Sequence, residues 1–197
     1  VSAPSGAGKT SLVRALIESD STVGVCISHT TRRQRDGEED GINYHFIEDT
    51  AFRSMVDAGE FIEWAHVFEH LYGTSIHAAN EVLDSGKHLI LEIDWQGASQ
   101  VQTLLANAVS IFILPPSLDS LRQRLTNRGQ DDASVIEQRM AEAVNEITHL
   151  NQANFIVIND SFDTALSDLE AVIRGACLSK DHQLKVNEDL LKGLLSQ

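Results

Sequence analysis

Four short stretches of the chain are almost uninterrupted in apolar, mostly β-branched residues: VGVCIS (23–28), HLILEID (88–94), VSIFIL (109–114) and FIVI (155–158). Runs of that length and composition predict strands buried on both faces. Between them the spacing changes to the three-to-four-residue repeat of amphipathic helices. Leu12, Val13, Leu16 and Ile17 mark a helix over 10–19, and Leu118, Leu121 and Leu125 one over 118–128. Val135, Ile136, Met140, Val144 and Ile147 mark another over 134–150, and Ala165, Leu166, Leu169, Val172 and Ile173 a fourth over 163–174. Alternating strands and helices predict an α/β fold with a parallel sheet. With a truncated strand at Val1, the core is expected to hold five strands.

Two segments break this rhythm. In 29–82, INYHFI (42–47) alternates apolar and polar residues, FIEWAHVF (61–68) and LYGTSI (71–76) follow, and a short helix near 50–58 ends at Gly59. That pattern predicts a small antiparallel insertion with one wet face. Residues 119–150 form a second, helical and arginine-rich insertion. The expected division is therefore core 1–28, insertion 29–82, core 83–118, insertion 119–150, and core with a C-terminal helix over 151–197. From 182 onward Leu184, Leu190, Leu191 and Leu194 predict one polar amphipathic helix. It can pack on its own core or on a neighbour, so a homo-oligomer stays open as an assembly.

A chain of 197 residues, 42% hydrophobic, is enough for one compact domain. No run approaches the ~18 apolar residues of a membrane span, and no signal-peptide pattern is present. The start at Val1 rather than Met suggests that residues precede it. A net charge of −14 argues against a nucleic-acid partner. It does not exclude small anionic substrates, which need positive charge only locally. Seven of the ten arginines fall in two clusters, Arg32, Arg33 and Arg35, and Arg122, Arg124, Arg128 and Arg139. Cys26 and Cys177 have no metal or disulfide spacing and read as buried thiols in a reducing cytoplasm.

The candidate chemistry begins with SAPSGAGKT (2–10). The pattern G-x-x-x-x-G-K-[ST] wraps backbone N–H groups around a phosphate at a helix N-terminus. Here Gly6 and Gly8 permit close approach, Lys9 can reach β- and γ-phosphates, and Thr10 can ligate Mg²⁺. Ala3 stands at the first glycine position, where a residue with negative φ serves equally. In SHTTRRQRDGE (28–38), Arg32 and Arg35 can grip a phosphate dianion bidentately. Tyr44 and Tyr72 can add hydroxyl donors. Glu63, inside FIEWA, could accept from the adjacent N1–H and N2–H₂ donors of guanine, with Ser28 or Thr74 donating to O6. Alternation equally allows Glu63 to point outward.

Several spaced motifs then resemble the guanylate kinase family, its bacterial soluble members especially. They are SAPSGAGKT, SHTTRRQRDGE with DGINYHF, GEFIEWAHVFEHLYGTS, LEIDWQGA, IFILPPS, LTNRGQD and VINDSFDTAL, in order over about residues 1–175. The resemblance implies ATP-dependent phosphorylation of GMP, a P-loop three-layer fold, a GMP-binding insertion over 29–82 and a helical lid over 119–150. It implies that Ala3, Pro4, Ser5, Gly6, Ala7, Gly8, Lys9, Thr10 and Ser11 bind ATP, with Asn159 near the adenine pocket. Arg32, Arg35, Tyr44 and Tyr72 fall where the GMP phosphate is held, with Glu38 supporting the arginines. Ser28, Glu63 and Thr74 fall on the guanine-reading positions. Lys9, Arg35, Arg124, Arg128 and Arg139 fall where cations act on the transferring group. Glu92, which stands where the family often has Asp, and Asp94, which keeps its Asp, fall among the GMP-binding residues, Glu92 beside the base or the metal.

Three rival readings remain, one of them a kinase for another nucleoside monophosphate, against which Glu63 with Ser28 and Thr74 argues. HVFEH (66–70) matches a zinc-protease signature, but that motif needs a helix, and here it lies between strand patterns. A non-catalytic guanylate-kinase-like module, binding phosphorylated protein partners through the old GMP site, is the alternative from another class. The intact Gly6, Gly8, Lys9 and Thr10 weigh against it.

Overall fold

The computed structural model describes residues 1–67, 69–127 and 132–196. Helix α1 (Lys9–Ser19) springs from the glycine-rich loop and buries Leu12, Val13 and Leu16. Strands β1 (Val23–Val25), β2 (His29–Thr30) and β3 (His45–Phe46) are followed by α2 (Asp49–Asp57), β4 (Phe61–Val67), β5 (His70–Ser75) and α3 (Ile76–Asp84). Then come β6 (His88–Ile90), α4 (Trp95–Leu104), β7 (Ile111–Leu114), α5 (Leu118–Asn127) and α6 (Ala133–Ile147). Strand β8 (Phe155–Ile158) and helices α7 (Phe162–Cys177), α8 (Lys180–Val186) and α9 (Glu188–Leu195) complete the described chain.

The parallel core is present as two strand pairs rather than as five laddered strands. Strand β1 pairs with β6, Val23 opposite His88, and β7 pairs with β8, Ile111 opposite Phe155. Val1 and Ser2 lie between the two pairs. Ser2 N–H donates to Ile111 O (2.9 Å), Ile113 N–H to Ser2 O (2.9 Å) and Ile93 N–H to Val1 O (3.2 Å). Two residues followed closely by Pro4, which has no N–H, make a single bridge to Phe112 rather than a ladder. Leu12, Val13 and Leu16 of α1 and Ala165 and Leu169 of α7 pack with Val23, Ile90, Ile111, Ile113 and Val157 in one core.

The insertion holds a four-stranded sheet in the order β3-β2-β5-β4. It is mixed: β2 and β3 run parallel, and the other pairs antiparallel. His66 and His70 lie on opposite arms of the β4–β5 hairpin, on strands rather than on a helix. Helices α3 and α4, which the apolar pattern did not mark, begin at side-chain caps. Ser75 accepts from Ala78 N–H, and Asp94 from Gly97 N–H.

Helices α5 and α6 share a small core of Leu121, Leu125, Ile136, Met140 and Ala143. Arg122 and Glu137 bridge them on the outside. Beyond α6, the His149 ring stacks on Trp95 at the start of α4, with centroids 3.6 Å apart and planes within 3°. The tail differs from the single helix expected. It breaks at Asn187, whose Nδ2 donates to Gln183 Oε1 (2.9 Å), and Leu184, Leu190 and Leu194 are exposed. No helix among the described residues is long and apolar enough to cross a membrane.

Candidate active site

Ala7 N–H donates to Pro4 O (3.0 Å) and Leu12 N–H to Gly8 O (3.1 Å), so the loop curls directly into α1. Gly8 is the N-cap residue, at φ 97°. A Cβ there would be strained by the backbone and would overlap Asn159 Nδ2. Asn159 is buried, and its Nδ2 donates to Ala7 O (2.7 Å). Arg124 of α5 donates through Nη2 to Asn159 O (2.8 Å) and through Nη1 to Ala7 O (3.4 Å). The residues expected at the adenine pocket and at the transferring phosphoryl group thus brace the loop itself. The first N–H groups of α1 lack intrahelical partners and suit an anion.

Lys9 Nζ donates to Ile93 O (3.2 Å). Burial pulls its pKa below the ordinary value, while the carboxylates of Glu92, Glu146, Asp94 and Glu63 act the other way. Thr10 Oγ1 donates to Glu92 Oε2 (3.0 Å). Asp94 is held by Gly97 N–H at Oδ1 (2.9 Å) and by Gln96 Nε2 at Oδ2 (3.0 Å). Glu146, from α6, is a site residue that sequence reasoning missed. Burial pushes its carboxyl up to about 7, against the pull of Lys9 and of the nearby Ser5 backbone. Its Oε2 is buried without a hydrogen-bond partner. The available signal was its place three residues beyond Ala143, on the apolar face of α6.

Glu63 points inward. Its residue is only 4% exposed, whereas Trp64 next to it is 40% exposed. A register shift between Phe61 and Glu63 brings Glu63 opposite Thr74. Thr74 Oγ1 donates to Glu63 Oε1 (2.5 Å), and Ser28 Oγ lies 3.4 Å from Thr74 Oγ1. Burial raises the Glu63 carboxyl to about 7, against the hydrogen bond from Thr74. Gly97, also missed, lets α4 pass close to this carboxylate, since a Cβ there would overlap Glu63 Oε2.

Arg32 is nearly buried and donates Nη2 to both Glu38 oxygens (2.8 and 3.0 Å) and Nη1 to Arg33 O (2.7 Å). Its guanidinium carbon sits 5.5 Å from the Tyr44 ring centroid, and Tyr44 and Tyr72 meet edge to face at 5.9 Å. Glu38 also accepts from Arg35 N–H (2.9 Å), and its carboxyl lies below the ordinary value because Arg32 and Arg35 outweigh its burial. The expected support of the arginines by Glu38 is thus in place for Arg32, while the Arg35 side chain is exposed.

One cavity of about 270 Å³ joins the glycine-rich loop to the Glu63 side of the insertion. Its walls include Ala3, Pro4, Ser5, Gly6, Gly8, Lys9, Thr10 and Ser11 on one side and Ser28, Tyr44, Glu63 and Tyr72 on the other, with Glu92, Asp94 and Glu146 between. Thr74 reaches it through Glu63. Arg32, Arg35, Glu38, Arg124, Arg139 and Asn159 are not among the described lining residues; Arg139 lies half-buried on α6. Arg128 lies outside the described residues.

The guanylate kinase family model matches residues 1–176. Two bacterial relatives are guanylate kinases. That of Saccharophagus degradans is 52% identical over 196 residues, 100% of this chain and 96% of the other. That of Methylobacillus flagellatus is 51% identical over 195 residues, covering 99% and 96%. The crystal structure of guanylate kinase from Anaplasma phagocytophilum superposes with a TM-score of 0.80 at 28% identity, covering 98% of this chain and 91% of the other. With a family match over most of its length and relatives near half identity from end to end, the chain belongs to the guanylate kinase family.

Proposed function

We propose that this chain transfers the γ-phosphoryl group of ATP to GMP, giving ADP and GDP. The observation that carries the reading is the single cavity shared by the Gly8–Lys9–Thr10 loop and the buried Glu63–Thr74–Ser28 set. A triphosphate seated on the α1 N-terminus and a guanine against Glu63 would face each other across about 270 Å³. Glu63 suits guanine because one carboxylate accepts from two adjacent donors; adenine would present a lone pair instead. Arg32, aligned by Glu38, and the hydroxyls of Tyr44 and Tyr72 form the matching grip for the GMP phosphate.

The protein's part in such a transfer is positioning and charge stabilisation. The attacking GMP phosphate oxygen is already ionised at neutral pH, so no general base is required. Lys9 neutralises charge spreading over the transferring oxygens. Asn159 and Arg124 fix Ala7 O, and with it the direction of the loop N–H groups. Arg35, Arg128 and Arg139 are assigned to the same charge neutralisation on closure of the lid over 119–150. Thr10 Oγ1 and the Glu92 carboxylate are hard oxygen donors side by side, which suits Mg²⁺. Thr10 would hold the ion, which when bound neutralises the β- and γ-phosphates. The two parallel strand pairs belong to one five-stranded sheet in the order β1, β6, Val1–Ser2, β7, β8, a reading supported by the bridging hydrogen bonds. Two cysteines outside any disulfide support a cytoplasmic setting.

A coupled ADP-release assay with ATP and GMP, AMP, CMP and UMP tests the proposal. Turnover is expected with GMP and far below it with the rest. Tight GMP binding without turnover of any monophosphate would favour the non-catalytic protein-binding module, and equal turnover of AMP would overturn the role of Glu63.

A further inference from the structure

Three metal-ligating side chains, one of them remote in sequence from the other two, meet where the C-terminal tail joins the core. His88 opens β6, Cys177 closes α7, and His182 lies in α8. One ligand atom from each, Nδ1 or Nε2 of the imidazoles and Sγ of the thiol, lies within 4.8 Å of the other two. Cys177 Sγ is 3.2 Å from His88 Nε2, and the two histidine rings are 5.6 Å apart. All three residues are half-buried, and none lines the nucleotide cavity.

We propose that His88, Cys177 and His182 form a Zn²⁺ site that fastens the C-terminal helices to the core. A thiolate with two imidazoles is the donor set of a borderline-soft cation and not of Mg²⁺ or Ca²⁺. Zn–S bonds of about 2.3 Å and Zn–N bonds of about 2.0–2.1 Å place tetrahedral ligands roughly 3.3–3.6 Å apart. The Cys177–His88 pair, at 3.2 Å, need open by only a few tenths of an ångström to reach that separation, and the third contact closes by a side-chain adjustment. A water completes the fourth position. Asp20 stands close enough to act electrostatically on both His88 and Cys177, and adds negative charge beside the cation. The scaffold is firm on two sides. His88 N–H donates to Thr22 O (2.8 Å), and Cys177 O accepts from Gln183 Nε2 (2.8 Å), which draws α8 back over the end of α7. Binding releases the Cys177 thiol proton to solvent, as thiolate ligation requires.

The tail has a use for such a fastening. Helices α8 and α9 bury no residue, so apolar packing contributes little to holding them. A metal bridge joins α8 to the first strand residue of β6, and ligand binding energy becomes folding energy for that segment.

The test is a Co²⁺ titration of full-length, chelator-stripped protein kept reduced with a phosphine. A near-ultraviolet thiolate-to-cobalt band should saturate at one equivalent and vanish when one equivalent of Zn²⁺ is added. Cys177→Ser should remove the band, and His182→Ala should weaken binding at least about tenfold. Zn²⁺ should raise the melting temperature and slow amide exchange across α8 in the native protein, and do neither in the variants. Phosphoryl transfer should stay unchanged in both variants. Should Cys177→Ser unfold the chain, His182→Ala carries the comparison alone. The absence of a thiolate band, or equal Zn²⁺ binding by native and His182→Ala protein, would overturn the proposal.

Discussion

Glu63→Gln should move activity and stability in opposite directions. Thr74 Oγ1 donates to Glu63 Oε1. In the glutamine the only acceptor, the amide carbonyl, stays with Thr74, and the NH₂ group turns toward the guanine donors. One charged hydrogen bond contributes roughly 1.5–3 kcal/mol, and an unsatisfied buried partner costs roughly 1–3 kcal/mol. A loss of about 3–5 kcal/mol in transition-state binding lowers kcat/KM for GMP about a hundred- to a few-thousand-fold. The free protein should gain. Burial raises the Glu63 carboxyl from 4.5 to about 7, and over that interval, at about 1.36 kcal/mol per pH unit, ionisation costs the fold up to about 3 kcal/mol. The folded pKa lies above the unfolded one, so the cost is absent below pH 4.5, builds as pH rises and is complete above about 7. Glu146 behaves alike. Native stability without nucleotide should therefore fall between about pH 4.5 and 7, and the fall should be shallower in Glu63→Gln, which should melt several degrees higher at pH 8. Steady-state kinetics and thermal melts across that pH range measure both. A variant with GMP kcat/KM within about threefold of native, or a lowered melting temperature at pH 8, would refute the reasoning.

Gly8→Ala should abolish turnover, because the loop must leave φ 97° and push Asn159 away; ATP binding followed by calorimetry checks this. Asn159→Ala frees Ala7 O from its 2.7 Å donor and should raise KM for ATP while leaving GMP binding intact. Glu38→Ala leaves the nearly buried Arg32 without its carboxylate. It should cost about 1–2 kcal/mol of stability, discounted for partial exposure, and raise KM for GMP about tenfold, as read from melts and initial rates. Gly97→Ala should displace Glu63 and raise KM for GMP with no effect on that for ATP.

The loop and the helix it opens were legible because both are local. Gly8, Lys9 and the apolar spacing of 10–19 fix them within a dozen residues. Strand runs were legible as apolar runs but were read too long at 23–28, 88–94 and 109–114, because a ladder extends only as far as its partner pairs. The inward turn of Glu63 was not legible, since alternation through FIEWA allows either face and only the register shift at Phe61–Glu63 decides. Glu146 and Gly97 act on groups far away in sequence, the loop and Glu63, so no neighbouring pattern could mark them. The same holds for Cys177, which read as an isolated thiol until the fold brought His88 beside it. The tail leucines gave a helical period without a surface to face, so one helix was expected where Asn187 divides two.

The ring pair of Trp95 and His149 has an optical consequence. An imidazole stacked at 3.6 Å on an indole is well placed to quench its emission, and the only other tryptophan, Trp64, stands apart on β4. Since His149 follows α6 and Trp95 opens α4, any swing of the α5–α6 unit relative to the core would part the rings and brighten Trp95. If nucleotide binding swings that unit as the proposed lid requires, Trp95 would report it as a native fluorophore, timed in a stopped-flow instrument without attaching a dye.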